Sequence, residues 1–138
     1  MSTFRIWYTY IVDVAFQSDR ESTLTTENLG YRMENIVYIE LLRRYKKENV
    51  DVFYYKDGYE IDFVLVDKTK ILELIQVTYK MDTAKTRNRE LGGLAKGYAG
   101  FKCDKLTLIS LNERGEEEYG GAKIKKVTVV DWLLGNVL

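Results

Sequence analysis

Two apolar runs near the middle of the chain are interrupted by polar residues at alternate positions. In GYEIDFVLVD these are Glu60 and Asp62, and in ILELIQVTYK they are Gln76, Thr78 and Lys80. Alternate side chains of a β-strand lie on one face, so each set is predicted to share a face of its strand. An unpaired charge is costly to bury, so a sheet covered by helices needs a chemical reason for these residues.

The chemistry that these residue types favour is a cation-assisted reaction at a phosphate. Carboxylate and amide oxygens that converge at the end of a sheet are ligands for a hard divalent cation. A lysine beside them can orient or activate a water molecule for attack on a phosphate. We therefore expect Glu60, Asp62 and Gln76 to hold Mg²⁺ or Mn²⁺, and Lys80 to assist the water.

Composition excludes several other kinds of site. The 138 residues include no histidine and one cysteine, Cys103. This composition removes Ser-His and Cys-His nucleophile pairs, the common zinc sites and an internal disulfide. Basic and acidic residues balance at 21 each, so nucleic-acid binding would require a local basic patch. The longest apolar runs are too short to span a bilayer and the N-terminus does not resemble a signal peptide, so we expect a cytoplasmic protein.

Two segments show helical spacing, because apolar residues recur every three or four positions in residues 26–47 and 86–100. Two acids lie on the first predicted helix, Glu34 at the margin of the apolar stripe and Glu40 inside it. Either could reach over the sheet. Arg44 lies one turn after Glu40, however, which predicts an ordinary helix ion pair at that position.

β-branched and aromatic residues predict the strands. A first strand is expected in FRIWYTYIVDVAF (residues 4–16), a hairpin in VDVFYYKDGYEIDFVLVD and a further strand in ILELIQVTYK. Asp57-Gly58 is a pair favoured by type I′ turns, whose two central residues need positive φ. KLTLISL and KIKKVTVV follow as strands, with NERGEEEYGGA between them as an exposed acidic turn and DWLLG as a short closing helical turn.

The predicted order is strand, long helix, three strands, helix, strand, strand. A helix between two strands favours a right-handed parallel crossover, whereas the Asp-Gly hairpin is antiparallel. The sequence therefore predicts an α/β domain with a mixed central β-sheet flanked by helices. Within the second strand of the hairpin, strict alternation places Ile61, Phe63 and Leu65 on the face opposite Glu60 and Asp62.

Five segments occur in the order found in a known family: MENIVYIELLRR, GYEIDFVLV, ELIQVTYK, TRNRELGGL and KIKKVTVVDWLL. From Tyr8 onward the chain resembles the C-terminal domain of many prokaryotic AAA-type ATPases. That domain is similar to the PD-(D/E)XK nuclease superfamily, whose core is a helix, a three-stranded meander, a helix and another strand. The resemblance implies that residues 1–138 form a single domain with a restriction-endonuclease-like core.

The resemblance also implies roles for individual residues. It makes Glu34 the acid of the helix, Asp62 the metal-binding aspartate and Gln76 the counterpart of the acid in the (D/E)XK element. The segment IQVTYK departs from the nuclease pattern, because Gln76 is neutral and Thr78 stands where the lysine is expected. Fewer carboxylates weaken cation binding. Lys80 lies about 6.7 Å farther along the same face, from which its side chain could reach back.

Two functions follow from these observations. The first is a metal-dependent nuclease-like domain that acts on or binds DNA. In it, Glu34 joins Asp62, Glu60 and Gln76 in holding the cation, and Arg87 and Arg89, near a helix N-terminus, position phosphates. The alternative is a catalytically inactive nuclease-fold module that binds a partner or forms a homodimer. No GxxxxGK[ST] phosphate loop occurs in the chain, so an ATPase domain is not expected and regulation by ATP would require a separate ATPase chain.

Overall fold

The computed structural model describes residues 26–135, with side chains from Asn28 onward. The predicted first strand, residues 4–16, lies outside the described residues. No helix in the described part is long and apolar enough to cross a membrane. The elements of residues 26–135, in chain order, are α1 (Thr26–Tyr45), β1 (Val50–Lys56), β2 (Glu60–Asp67), β3 (Lys70–Val77), α2 (Ala84–Phe101), β4 (Leu106–Ser110), β5 (Gly115–Tyr119), β6 (Ala122–Thr128) and α3 (Val129–Leu134).

The strands of the described region form one mixed sheet, in the order β1-β2-β3-β4-β6-β5. β1, β2 and β3 make an antiparallel meander, and β4 lies parallel to both β3 and β6. β5 forms the far edge and is antiparallel to β6. α2 is the crossover between the parallel strands β3 and β4, as predicted.

Helices cover both faces of the sheet, and each face has its own apolar core. The core beneath α1 and α3 includes the buried side chains of Val37, Leu41, Phe63, Ile75 and Trp132. The core beneath α2 includes the buried side chains of Ile61, Leu74, Leu91, Leu94 and Leu108. The predicted mixed sheet flanked by helices is therefore confirmed.

β2 does not alternate strictly, because it carries a β-bulge beside β1. Between the pairs Phe53–Val64 and Tyr55–Ile61, two residues of β2 oppose one residue of β1. As a result Ile61 packs beneath α2, as Val64 does, whereas Phe63 packs beneath α1. The prediction that Ile61 and Phe63 share a face is wrong, since an extra residue shifts the alternation and re-aims the side chains around it.

The β1–β2 hairpin turns at Asp57-Gly58, as predicted, but its loop is not a two-residue type I′ turn. Lys56 pairs with Glu60, which leaves a loop of three residues in which Asp57 N–H donates to Tyr59 O at 3.0 Å. Gly58 has a φ of 75°, and the φ of Asp57 is not positive. Glycine therefore occupies the left-handed position of the loop, where a Cβ would be disfavoured.

The acidic segment that was predicted as an exposed turn forms the edge strand β5. Glu116 Oε2 lies 3.0 Å from Lys123 Nζ, and Glu117 Oε2 lies 3.0 Å from Lys126 Nζ, with both lysines on β6. Cross-strand pairs of opposite charge favour β pairing, so the acidic composition on its own was misleading. The turn itself lies at Gly120-Gly121, where φ is 57° and 81°.

Candidate functional site

β2 and β3 separate at the end of the sheet that carries the polar residues. There the side-chain amide of Gln76 takes the place of the backbone ladder. Its Oε1 accepts the Asp62 N–H at 2.8 Å, and its Nε2 donates to Glu60 O at 2.8 Å. In return Val77 N–H donates to Asp62 Oδ2 at 2.8 Å. Two side chains thus hold the separated strands at a fixed distance.

Gly93 of α2 makes room for this bridge. A Cβ at Gly93 would lie 2.7 Å from Gln76 Nε2 and 2.8 Å from Glu60 O. These distances are shorter than any ordinary contact of a carbon atom with nitrogen or oxygen. The glycine therefore allows α2 to lie directly against the amide of Gln76.

Three carboxyl groups from three elements meet in the opening between the strands. Glu34 comes from α1, Glu90 comes from α2, and Asp62 of β2 is hydrogen-bonded to Glu34. Burial is the largest of the causes that together raise the pKa of Glu34 from 4.5 to about 7. The hydrogen bond with Asp62 lowers this pKa, and the charges of Glu90 and Glu60 raise it. Burial also raises the pKa of Asp62 and of Glu90. These three residues, named the acid cluster below, therefore hold protons more tightly than free carboxyl groups do.

A fourth acid, Glu60, lies next to the acid cluster in a different environment. Lys56 Nζ is 2.9 Å from Glu60 Oε1, and this contact lowers the pKa of Glu60. The hydroxyl of Tyr54 donates to the same carboxylate, which lowers the pKa of Glu60 further. Burial, followed by the charge of Glu60, raises the pKa of Tyr54. Tyr54 and Lys56 therefore favour the ionised form of Glu60, whereas burial favours the neutral form of the three acids of the cluster.

The acid cluster lines a cavity of about 480 Å³ together with the basic residues Lys80 and Arg89. Arg89 Nε and Nη2 donate to Glu90 Oε1 at 2.9 and 2.8 Å, yet 63% of the Arg89 side chain is exposed. Lys80 Nζ lies 5.6 Å from the ring centre of Tyr79. The predicted site residues that line this one cavity are Glu34, Glu60, Asp62, Lys80 and Arg89.

Other predicted residues take different positions. Gln76 lies beside the acid cluster, but both polar atoms of its amide are engaged by the backbone of β2. The guanidinium of Arg87 pairs with Glu117 of β5 instead of facing the cavity. On α1 the predicted ion pair is confirmed, because Arg44 Nε lies 2.9 Å from Glu40 Oε1.

Sequence reasoning missed two residues of the site, Glu90 and Tyr54. Glu90 stands four residues before Leu94 and seven before Gly97, all of which are buried on α2. This spacing places an acidic residue on the buried stripe of the helix, and the sequence alone could have shown it. Tyr54 had no comparable signal, because it is the residue of β1 that lies opposite the bulge in β2.

The donor set of the acid cluster suits a hard divalent cation, since three carboxylates would lose their mutual repulsion on binding one. Within residues 26–135, no group of three or more His, Cys, Asp or Glu side chains is arranged around a metal position. Glu34 and Asp62 instead share a hydrogen bond, which requires a proton on one of these two carboxyl groups. A cation would therefore have to displace protons and reorient these side chains.

Comparison with known proteins places this site inside a shared domain. Residues 29–130 match the family described as "Domain of unknown function (DUF4143)". The uncharacterised protein MJ1544 of Methanocaldococcus jannaschii is 36% identical to the chain over 96 residues. That alignment covers 67% of this chain and 21% of the archaeal protein, so the chain spans about a fifth of the length of this relative. The matched range contains Glu34, Asp62 and Glu90.

Replacing Gly93 with alanine should destabilise the fold by roughly 1–3 kcal/mol, because the added methyl overlaps Gln76 Nε2 and Glu60 O. Gly92→Ala is the matched control, since its Cβ would have Tyr119 Cε1 as nearest neighbour at 3.8 Å. Alanine favours a helix by about 1 kcal/mol over glycine, so this variant should be as stable as the parent or more stable. Urea unfolding measures both. Equal stability of the two variants would show that the amide of Gln76 is not held against α2.

The acid cluster should make the protein less stable as pH rises towards and beyond 7. An acid with a raised pKa in the folded state stabilises that state fully below its unfolded pKa, here 4.5, and this contribution is lost as pH rises through about 7. One pKa unit corresponds to about 1.4 kcal/mol, so we expect a loss of roughly 2–3 kcal/mol between pH 5 and pH 8. Urea unfolding in the presence of a chelator, at several pH values, measures this change.

Two variants of α1 test the origin of this pH dependence. Glu34→Gln should flatten the decline between pH 5 and pH 8, because a neutral amide replaces the titrating group. Glu40→Gln should lower stability by a similar amount at every pH in this range, since its ion pairs lower the pKa of Glu40 to about 2 and it stays ionised. A decline that persists unchanged in Glu34→Gln would assign the titration to other groups.

Proposed function

The chain belongs to the DUF4143 family, a C-terminal domain of AAA-ATPase-like proteins, and we propose that it is a metal-dependent, PD-(D/E)XK-like nuclease domain acting on DNA. One observation carries this proposal. Carboxyl groups from α1, β2 and α2 meet in a cavity of about 480 Å³ whose other lining residues include Lys80 and Arg89. Acids beside exposed cations suit a phosphodiester and the cation that would neutralise it.

Glu34, Asp62 and Glu90 would hold Mg²⁺ or Mn²⁺, with Glu60 next to them. When bound, the cation would lower the pKa of a water molecule and offset the charge that develops on a phosphate. Glu90 takes the place that the sequence suggested for Gln76, because Gln76 Oε1 already accepts the N–H of Asp62.

The remaining residues of the cavity position the substrate and the acids. Arg89 has one guanidinium nitrogen, Nη1, beyond the two that donate to Glu90, and this nitrogen would bind a phosphate oxygen. Lys80 lines the cavity, whereas Thr78 hydrogen-bonds to the Lys80 carbonyl oxygen. In this proposal Lys80 supplies the positive charge that Thr78 lacks. Val77 N–H and the amide of Gln76 keep Asp62 in place.

The family context suggests a partner. DUF4143 domains usually sit with an ATPase domain. We propose that the domain acts together with an ATPase in the cytoplasm, and that a separate ATPase chain is the partner. Nucleotide hydrolysis by that chain would then control access of DNA to the acid cluster.

Asp62→Asn should abolish Mg²⁺- or Mn²⁺-dependent cleavage of labelled single-stranded, double-stranded or branched DNA. The amide preserves shape and can still accept the Val77 N–H, but it cannot provide a negative charge to a cation. Asp67→Asn is the matched control, since it makes the same chemical change at the other end of β2. Cleavage that survives in Asp62→Asn would rule out the acid cluster as the active site.

Cation binding can be tested without any activity. At pH 8 the wild-type protein should be stabilised by Mg²⁺ or Mn²⁺, by about 1.4 kcal/mol at a concentration ten times the Kd. Asp62→Asn and Glu90→Gln should lose this stabilisation, and Asp67→Asn should retain it. Thermal unfolding with and without the cation measures the change. Identical shifts in all four proteins would mean that the cation binds elsewhere.

A second candidate function is a catalytically inactive module that binds a partner or forms a homodimer. It is favoured by Gln76, whose amide holds the strands together, and by Thr78, which carries no charge at the lysine position. α1 also exposes Ile36, Ile39 and Leu42, with exposures of 45%, 58% and 45%. Absence of cation stabilisation, together with a concentration-dependent dimer in sedimentation, would favour this function over the nuclease.

A further inference from the structure

A second polar group crosses the middle of the sheet, on the face covered by α1 and α3. The group consists of Glu73 on β3, Thr107 on β4 and Lys125 on β6. Each lies two residues before a member of the apolar core on that face, so its side chain is on the same face of the sheet. Thr107 and Lys125 are directly paired across their strands. Glu73 and Thr107 are 7% and 5% exposed, so polar side chains occupy positions where apolar ones would be expected.

Glu73 is held in a defined position by two neighbours. Thr107 Oγ1 donates to Glu73 Oε2 at 2.6 Å, and Lys105 Nζ lies 3.3 Å from Glu73 Oε1. Burial, followed by the charge of Glu73, raises the pKa of Tyr45 at the end of α1. The carboxylate is therefore fixed close to an aromatic side chain.

These residues line a cavity of about 520 Å³ that also has Tyr45 and Trp132 on its walls. Arg44 fixes Trp132, because its Nη2 donates to Trp132 O at 2.5 Å and its Cζ lies 4.2 Å from the ring centre. The cavity shares none of its lining residues with the cavity of the acid cluster. It is therefore a separate concave site, lined by the aromatic residues Tyr45, Tyr98 and Trp132.

Lys125 gives this cavity its charge preference. Within residues 26–135 the half-buried Lys125 has no hydrogen-bond or ion-pair partner, whereas Lys105 pairs with Glu73 and Lys123 pairs with Glu116. Glu116 is the cross-strand neighbour of Lys125, but its carboxylate pairs with Lys123. A partly desolvated ammonium group without an ion-pair partner favours binding of an anion. The buried carboxylate of Glu73, in contrast, favours a hydrogen-bond donor.

We propose that this cavity binds a nucleoside phosphate whose base carries an amino group. The phosphate would pair with Lys125, the base would pack against Tyr45 and Trp132, and its amino group would donate to Glu73. The volume of the cavity is in the range of small-molecule sites. This inference does not rest on the proposed nuclease function, because the two sites share no residue.

The fluorescence of Trp132, measured in a Trp7→Phe background, reports binding at this cavity. AMP, adenosine and inorganic phosphate are the probes. We expect a saturable change with AMP, weaker binding of adenosine, and still weaker binding of phosphate. Lys125→Met should weaken AMP binding by roughly tenfold or more and leave adenosine binding unchanged, because only AMP has a charge to lose. Glu73→Gln should weaken both AMP and adenosine.

Two further variants keep the test decisive. Lys125→Arg should retain AMP binding through its charge, and Lys85→Met, which removes an exposed lysine at the start of α2, should bind AMP as the parent does. Circular dichroism checks each fold, and the Lys125 variants decide the outcome if Glu73→Gln is unfolded. No saturable change with AMP, equal AMP affinity in Lys125→Met, or phosphate binding as tight as that of AMP would overturn the proposal.

Discussion

Backbone pairing between β2 and β3 stops at Phe63 and Ile75, before either strand ends. The backbone N–H and C=O groups beyond this point are buried and need other hydrogen-bond partners. The side chain of Gln76 is the partner of two backbone groups of β2, and the side chain of Asp62 is the partner of one backbone N–H of β3. The separation of the strands is thus stabilised by specific hydrogen bonds. Everything in the site follows from this opening, since a continuous ladder would leave no space for carboxyl groups from two opposite helix layers to meet.

The meeting of these carboxyl groups determines the electrostatics of the site. Glu34 reaches the opening from α1 and Glu90 from α2, so Asp62 is close to negative charge on both sides. Protons relieve that repulsion, and a divalent cation would relieve it in the same way. Glu60, Asp62, Arg89 and Glu90 also line a groove of about 730 Å³ along α2, so the acid cluster is accessible from more than one direction.

The parts of the fold that depend on local patterns were predictable. Helical spacing predicted α1 and α2, and Asp57-Gly58 predicted the hairpin, because each signal lies within a few neighbouring residues. The bulge in β2, the edge strand β5 and the role of Tyr54 were not predictable in the same way. Each depends on a residue in another strand, and a single sequence does not identify that residue.

The predicted site shows the same division. Alternation along one strand predicted that Glu60 and Asp62 belong together, and the helix acid Glu34 was found through a family resemblance. Glu90 was missed because its sequence context, RNRELGGL, was interpreted through its arginines and glycines and not through its position on the buried stripe. Arg87 and Arg89 are two residues apart on a helix, so they point in different directions, and one pairs with Glu117 while the other faces the acids.

The identity of residue 76 has a physical reason that the nuclease pattern does not supply. An amide donates and accepts at once, which is what the carbonyl of Glu60 and the N–H of Asp62 require of it. An ionised glutamate would place a second acceptor 2.8 Å from the Glu60 carbonyl and add a further charge to three carboxyl groups that already repel one another. Glutamine at this position therefore lacks a negative charge but holds the two strands apart. The third carboxyl group of the cluster comes from Glu90 on α2.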